Sequence, residues 1–131
     1  MLEHHTFPGT DVPEAYGPYS HAVVAGDFVF VAGQIARDSV TGKLIDGDIT
    51  AQTTRCIEII RDILAKLDLT LADVVRVTVY LNDLADFEAM NRVYREFFPS
   101  EPPTRSTVVV AALVVPNARV EIECMAAMPK Q

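Results

Sequence analysis

The chain of 131 residues contains no tryptophan, only two cysteines and no cluster of basic residues. Each shortage excludes something. Cys56 and Cys124 form no C-x-x-C pair and sit inside apolar patterns, so they read as buried free thiols in a reducing compartment. The expected location is therefore the cytoplasm. No apolar run approaches the roughly 20 residues of a membrane helix, and the first residues, Met-Leu-Glu-His-His-Thr-Phe-Pro, lack the basic and apolar blocks of a secretory signal. With 11 Lys and Arg against 18 Asp and Glu, the formal charge is −7. Such a surface repels a phosphate backbone on average, so nucleic acid is not an expected partner. The sequence also has no Gly-x-Ser-x-Gly, no Gly-x-x-x-x-Gly-Lys-Ser/Thr, no Gly-x-Gly-x-x-Gly and no His-Glu-x-x-His. Neither cysteine has a visible histidine partner, and no histidine pair has metal-ligand spacing with a third ligand nearby. Neither a metal nor a cofactor is expected.

What is present suits one globular domain over residues 1–131: half the residues are apolar and 22% are charged. Residues 1–19 read as an irregular lead-in with turn signals at Pro8-Gly9, Pro13 and Gly17-Pro18. The Gly17-Pro18 corner aims Tyr16 and Tyr19, and Tyr16 is expected to plug the edge of the core. Residues 20–25 and 28–33 read as strands joined by a two-residue hairpin at Gly26-Asp27. His21 is assigned a structural or cleft-edge role. A loop over 36–47 leads to Asp48 or Thr50, either of which can cap a helix running to about Leu67. A strand follows from Val74 to Leu81, then a second helix from about Ala85 to Phe98, ended by Pro99. Phe87, Met90, Tyr94 and Phe97 mark its core stripe.

Almost every residue from Thr107 to Val115 is apolar or small, which predicts a strand buried on both faces. After a turn at Pro116-Asn117, Arg119 to Ala126 alternates, with Arg119, Glu121, Glu123 and Met125 on one face. The order β-β-α-β-α-β-β implies an α+β fold, a mixed sheet with two helices on one face. Those helices cover one face only, so burial of the other requires further copies of the chain, a symmetric homo-oligomer.

Arg105, at the head of this apolar segment, is a ready clamp for a planar carboxylate. Glu121, desolvated beside apolar strands, is expected to have a raised pKa that poises it as an acid or base. The pair suits either a structural ion pair or a site that binds a small carboxylate and moves a proton or a water, with Tyr19 closing one wall. Placed on one hairpin, Arg105 and Glu121 would be offset by well over ~10 Å, so a bend, a bulge or a neighbouring subunit has to close the gap.

Pro103-Thr104-Arg105-Ser106 with Val120-Glu121-Ile122-Glu123, and Gly17-Pro18-Tyr19-Ser20 near the start, resemble the signatures of the RidA/YjgF family. The resemblance extends from Gly17 to Ala127. It implies a chorismate-mutase-like homotrimer with clefts between subunits. It also implies cofactor-free hydrolysis of reactive enamines and imines, such as 2-aminoacrylate, to 2-oxo acids and ammonia. Arg105, Glu121 and Tyr19 would be catalytic, and Arg105, Gly33, Asn91 and Thr107 would bind substrate. Ala32 stands where many members carry serine, Thr107 where many carry cysteine, and the Leu113–Asn117 turn is one residue longer than in typical deaminases. The substrate is expected to vary accordingly. An endoribonuclease or translation inhibitor, and a non-enzymatic binding module or holdase, are the alternatives.

Overall fold

The computed structural model describes residues 2–7 and 11–130. Its elements are β1 (Leu2–His5), β2 (Ala22–Ala25), β3 (Phe28–Gln34), α1 (Ile49–Ala65), β4 (Val74–Leu81), α2 (Phe87–Phe97), β5 (Thr104–Val109) and β6 (Val120–Ala127). The strands form one sheet in the order β1-β2-β3-β6-β4-β5. Only the β4–β5 pair is parallel, so the sheet is mixed. No helix among the described residues is long and apolar enough to cross a membrane. The Pro8-Gly9 turn signal lies outside the described residues.

Local chemistry explains most boundaries. Asp48 accepts a hydrogen bond from the Ala51 N–H at 2.9 Å and starts α1. Cys56, Ile57, Ile59, Ile60, Ile63 and Leu64 on this helix are buried, and the helix lies on β3 and β6 and against α2. Gly26, at φ 60°, makes the two-residue hairpin between β2 and β3. In β6 the residues Val120, Ile122, Cys124 and Ala126 are buried towards the helices, while Glu121, Glu123, Met125 and Ala127 face the other way.

The structure corrects the sequence reading in three places. Leu2–His5, expected to be irregular, forms an edge strand on β2. It carries no hydrophobic alternation, and the free backbone edge of β2 supplies the pairing. The strand expected over 107–115 begins at Thr104 and ends at Val109, and Val114 is 96% exposed. As the edge strand, β5 pairs with β4 alone, so its apolar residues are not buried on both faces within one protomer. Finally, β5 and β6 do not form a hairpin, because β4 lies between them.

The helix-free face carries Phe28 and Phe30 beside Met125, with both phenylalanines more than 40% exposed. Asp48→Ala should lower stability by about 1 kcal/mol, and the melting temperature by a few degrees, while Asp48→Asn keeps most of both. Thermal unfolding followed by circular dichroism checks this, and an unchanged melting temperature for the alanine variant contradicts the cap.

Candidate functional site

The sheet distributes the expected site residues over its two faces. Arg105 on β5 pairs with Val77, whose side chain is buried beneath the helices. Paired residues of parallel strands share a face, so Arg105 points to the helix side. Its guanidinium carbon lies 4.5 Å from the ring centroid of Tyr94 and 6.0 Å from that of Phe87, both on α2. These rings hold the cation by its charge against their faces and fix where the fork of N–H donors can point. Asn91 lines the same cleft, of about 370 Å³, with Tyr94, Pro102 and Pro103. Thr107, two residues further along the same side of β5, pairs with Val79. Its hydroxyl oxygen is buried without a hydrogen-bond partner, an unmet polar group beside the Arg105 cleft.

Glu121 occupies the opposite face. It pairs with Tyr80 of β4 and lies over Gly33 of β3. The β3–β6 pairing shifts register between Val31 and Gln34, a bulge that brings the Gly33 backbone under the carboxylate. A β-carbon on Gly33 would overlap Oε2 of Glu121, so only glycine permits this approach. Among the described residues no group donates a hydrogen bond to the Glu121 carboxylate. Burial chiefly, and the neighbouring Glu123 charge secondarily, push its pKa above the ordinary glutamate range. Glu123 is itself engaged: Tyr80 donates its hydroxyl proton to Oε1 at 2.6 Å.

Tyr19 and Gly33 line one cavity with Glu121, of about 350 Å³, whose other walls include Tyr16, Arg37 and Val115. A tight turn places Tyr19, its N–H bonding to the Gly17 carbonyl at 2.8 Å, and its hydroxyl accepts from the Tyr16 N–H at 3.1 Å. Arg105 and Glu121 thus lie on opposite faces of the sheet. Their partners on β4, Val77 and Tyr80, are three residues apart, about 10 Å along the strand. Within one protomer the two groups therefore line separate clefts.

The sequence also assigns roles to four further residues. His21 is structural: it is buried, Nδ1 accepts from the Phe7 N–H at 3.1 Å, and Nε2 bonds to the Pro13 carbonyl at 2.7 Å. Both cysteines are free and buried, and burial pushes the Cys124 thiol up to about 12, which leaves it without thiolate character at neutral pH. Tyr16 does not plug the core. It is 57% exposed, bonds through its hydroxyl to the Gly42 carbonyl at 2.9 Å, and stacks on the Arg37 guanidinium at 3.6 Å. Arg37 itself gave no sequence signal, because a charged residue in a turn-rich loop reads as solvated. Among the described residues no three His, Cys, Asp or Glu side chains are grouped to hold a metal ion.

The family model described as endoribonuclease L-PSP matches residues 9–128. The chain belongs to the RidA/YjgF family. It is 48% identical over 114 residues to a RutC family protein of Pyrococcus abyssi, covering 87% of this chain and 89% of that one. It is 38% identical over 114 residues to the 2-iminobutanoate/2-iminopropanoate deaminase of Capra hircus, covering 87% and 82%. The crystal structure of E. coli TdcF with bound serine superposes with a TM-score of 0.88 at 33% identity, covering 97% of this chain and all of that one. The fold is that of the RidA/YjgF family, and the family includes imine deaminases.

Gly33→Ala should stay folded, since the atom it meets is the end of a flexible side chain. Its crystal structure should show the Glu121 carboxylate displaced from above residue 33. A carboxylate left in place contradicts the close approach.

Proposed function

We propose that the protein hydrolyses reactive 2-enamino and 2-imino acids to 2-oxo acids and ammonia, at sites formed between the subunits of a homotrimer. The observation that carries this reading is the Glu121 carboxylate, raised in pKa and lying over the backbone of Gly33 in a cavity. A carboxyl whose pKa is raised is better placed to give a proton as well as take one. As the carboxylate it takes a proton from water as the oxygen adds to the C=N carbon. As the acid it returns that proton to nitrogen, and the carbinolamine expels ammonia. For 2-aminoacrylate, protonation at the methylene carbon first gives the iminium, and the sum is one water consumed, with pyruvate and ammonia released.

The anionic end of such a substrate needs a cation. Arg105 is that cation, held by Tyr94 and Phe87, and among the described residues its fork donates no hydrogen bond. Since one protomer separates it from Glu121, we assign Arg105, Thr107 and Asn91 to one subunit of each site and Glu121, Gly33 and Tyr19 to the next. Thr107 then has a ligand or a neighbouring chain to satisfy its hydroxyl. The helix-free sheet face, with Phe28, Phe30 and Met125, is the surface buried by trimerisation. The activity named for the Capra hircus relative and the serine bound to TdcF, an amino acid with a carboxylate beside its nitrogen-bearing carbon, both support the substrate class. The family description gives ribonuclease activity as a second reading, which a net charge of −7 disfavours.

The imine is generated in a coupled amino-acid oxidase assay and its loss is followed with and without protein. Arg105→Ala should lower kcat/KM by about 10- to 100-fold, the worth of hydrogen bonds to a charged group. Glu121→Gln should lower kcat by about 10²- to 10⁴-fold. In the wild type the acid limb of the pH profile should begin above the ordinary carboxylate range of about 4. The sign follows from the shift: the base form of Glu121 is lost as pH falls through a raised pKa, so activity declines earlier than an unperturbed glutamate would cause. Full activity in the folded Arg105→Ala variant contradicts the assignment.

A further inference from the structure

A cation other than Arg105 lines the Glu121 cavity, and the proposed chemistry leaves it unused. Arg37 is only 5% exposed, yet no carboxylate among the described residues pairs with it. Its Nε donates to the Gly42 carbonyl at 2.9 Å and its Nη1 to the Glu14 carbonyl at 2.6 Å. Nη2 makes no hydrogen bond among the described residues. Glu121, which lines the same cavity, forms no ion pair with Arg37, and neither do the neighbouring acids. Asp38 spends its carboxylate on the Val40 and Thr41 N–H groups at 2.8 and 2.9 Å, and Glu14 offers its carbonyl only. Arg55 adds more positive charge by donating to the Arg37 carbonyl at 2.7 Å. A buried guanidinium without a counter-anion is costly, and in a chain of net charge −7 its isolation is not for want of acids. The Tyr16 ring below it and the two carbonyls fix its plane, so its remaining donors are pre-aimed.

We infer that Arg37 is a specificity-determining residue that receives a second carboxylate, and that the preferred substrates are 2-imino dicarboxylic acids. The inference rests on the deaminase reading of the Glu121 site. In it the carboxylate beside the imine carbon meets Arg105 of the neighbouring subunit, and the distal carboxylate reaches Arg37, which lines the cavity that holds Glu121 and Gly33. A purely structural Arg37, tying residues 14–16 to the 37–42 loop, would affect every substrate alike.

The test compares two imines on the full-length protein: 2-iminosuccinate, made from aspartate by an oxidase, and 2-iminopropanoate, made from alanine. Wild type should favour the dicarboxylic imine by at least about tenfold in kcat/KM, and Arg37→Leu should remove that preference, chiefly through KM, with Arg37→Lys retaining part of it. Equal losses on both substrates, or no preference in the wild type, overturn the inference. A readout independent of turnover and of variant folding is the binding of succinate against butyrate to wild-type protein by calorimetry. Succinate should bind at least about tenfold more tightly. Equal affinities overturn the assignment of Arg37, whereas tight succinate binding without hydrolysis of either imine overturns the deaminase reading and leaves the anion site standing. A crystal structure showing a partner copy's carboxylate seated on Arg37 overturns the inference as well.

Discussion

The two-sidedness of the central sheet is the constraint from which the rest follows. Side chains alternate along every strand, so a residue's parity decides whether it meets the helices or the uncovered face. On β6, Val120, Ile122 and Cys124 fall to the core and Glu121 and Glu123 to the other side. On β5, parallel to β4, Arg105 and Thr107 fall to the helix side with Val77 and Val79. The same alternation that builds the core therefore parts the guanidinium from the carboxylate. Neither can cross the sheet without a register slip that would turn the whole apolar set outward.

Each of the two groups is set by what surrounds it. Tyr94 and Phe87 give Arg105 an aromatic seat, so α2 holds the guanidinium as well as the core. On the other face, the bulge in β3 and the missing side chain at Gly33 bring backbone under Glu121. Burial there, with the nearby charge of Glu123, raises the carboxyl's pKa above the ordinary glutamate range. The apolar surface left by Phe28 and Phe30 beside these groups supplies a reason for copies of the chain to associate. That association would place two complementary half-sites against each other.

Much of this was legible in the residues. A cap at Asp48 or Thr50, of which the structure uses Asp48, the limits of β4 and the alternation of β6 stood out because each follows from local chemistry. The C-terminal signatures marked Arg105 and Glu121 as residues to watch. What failed was tertiary. The Thr107–Val115 run reads as a doubly buried strand, but its apolar content does not reveal that β5 is an edge strand ending at Val109. Leu2–His5 has no pattern of its own and becomes a strand only through the edge of β2. Tyr16 reads as a core plug and Arg37 as a solvated loop residue because their stacking depends on a loop returning through Gly42.

The central claim is that one catalytic site needs Arg105 from one copy and Glu121 from another. It is tested most directly by mixing Arg105→Ala and Glu121→Gln proteins, each strongly impaired alone, after joint unfolding and refolding. Random assembly of equal amounts should restore about a quarter of the wild-type deaminase activity, because that share of sites draws both intact residues from different chains. A mixture no more active than its components, although the two variants are shown to co-assemble, would contradict the account.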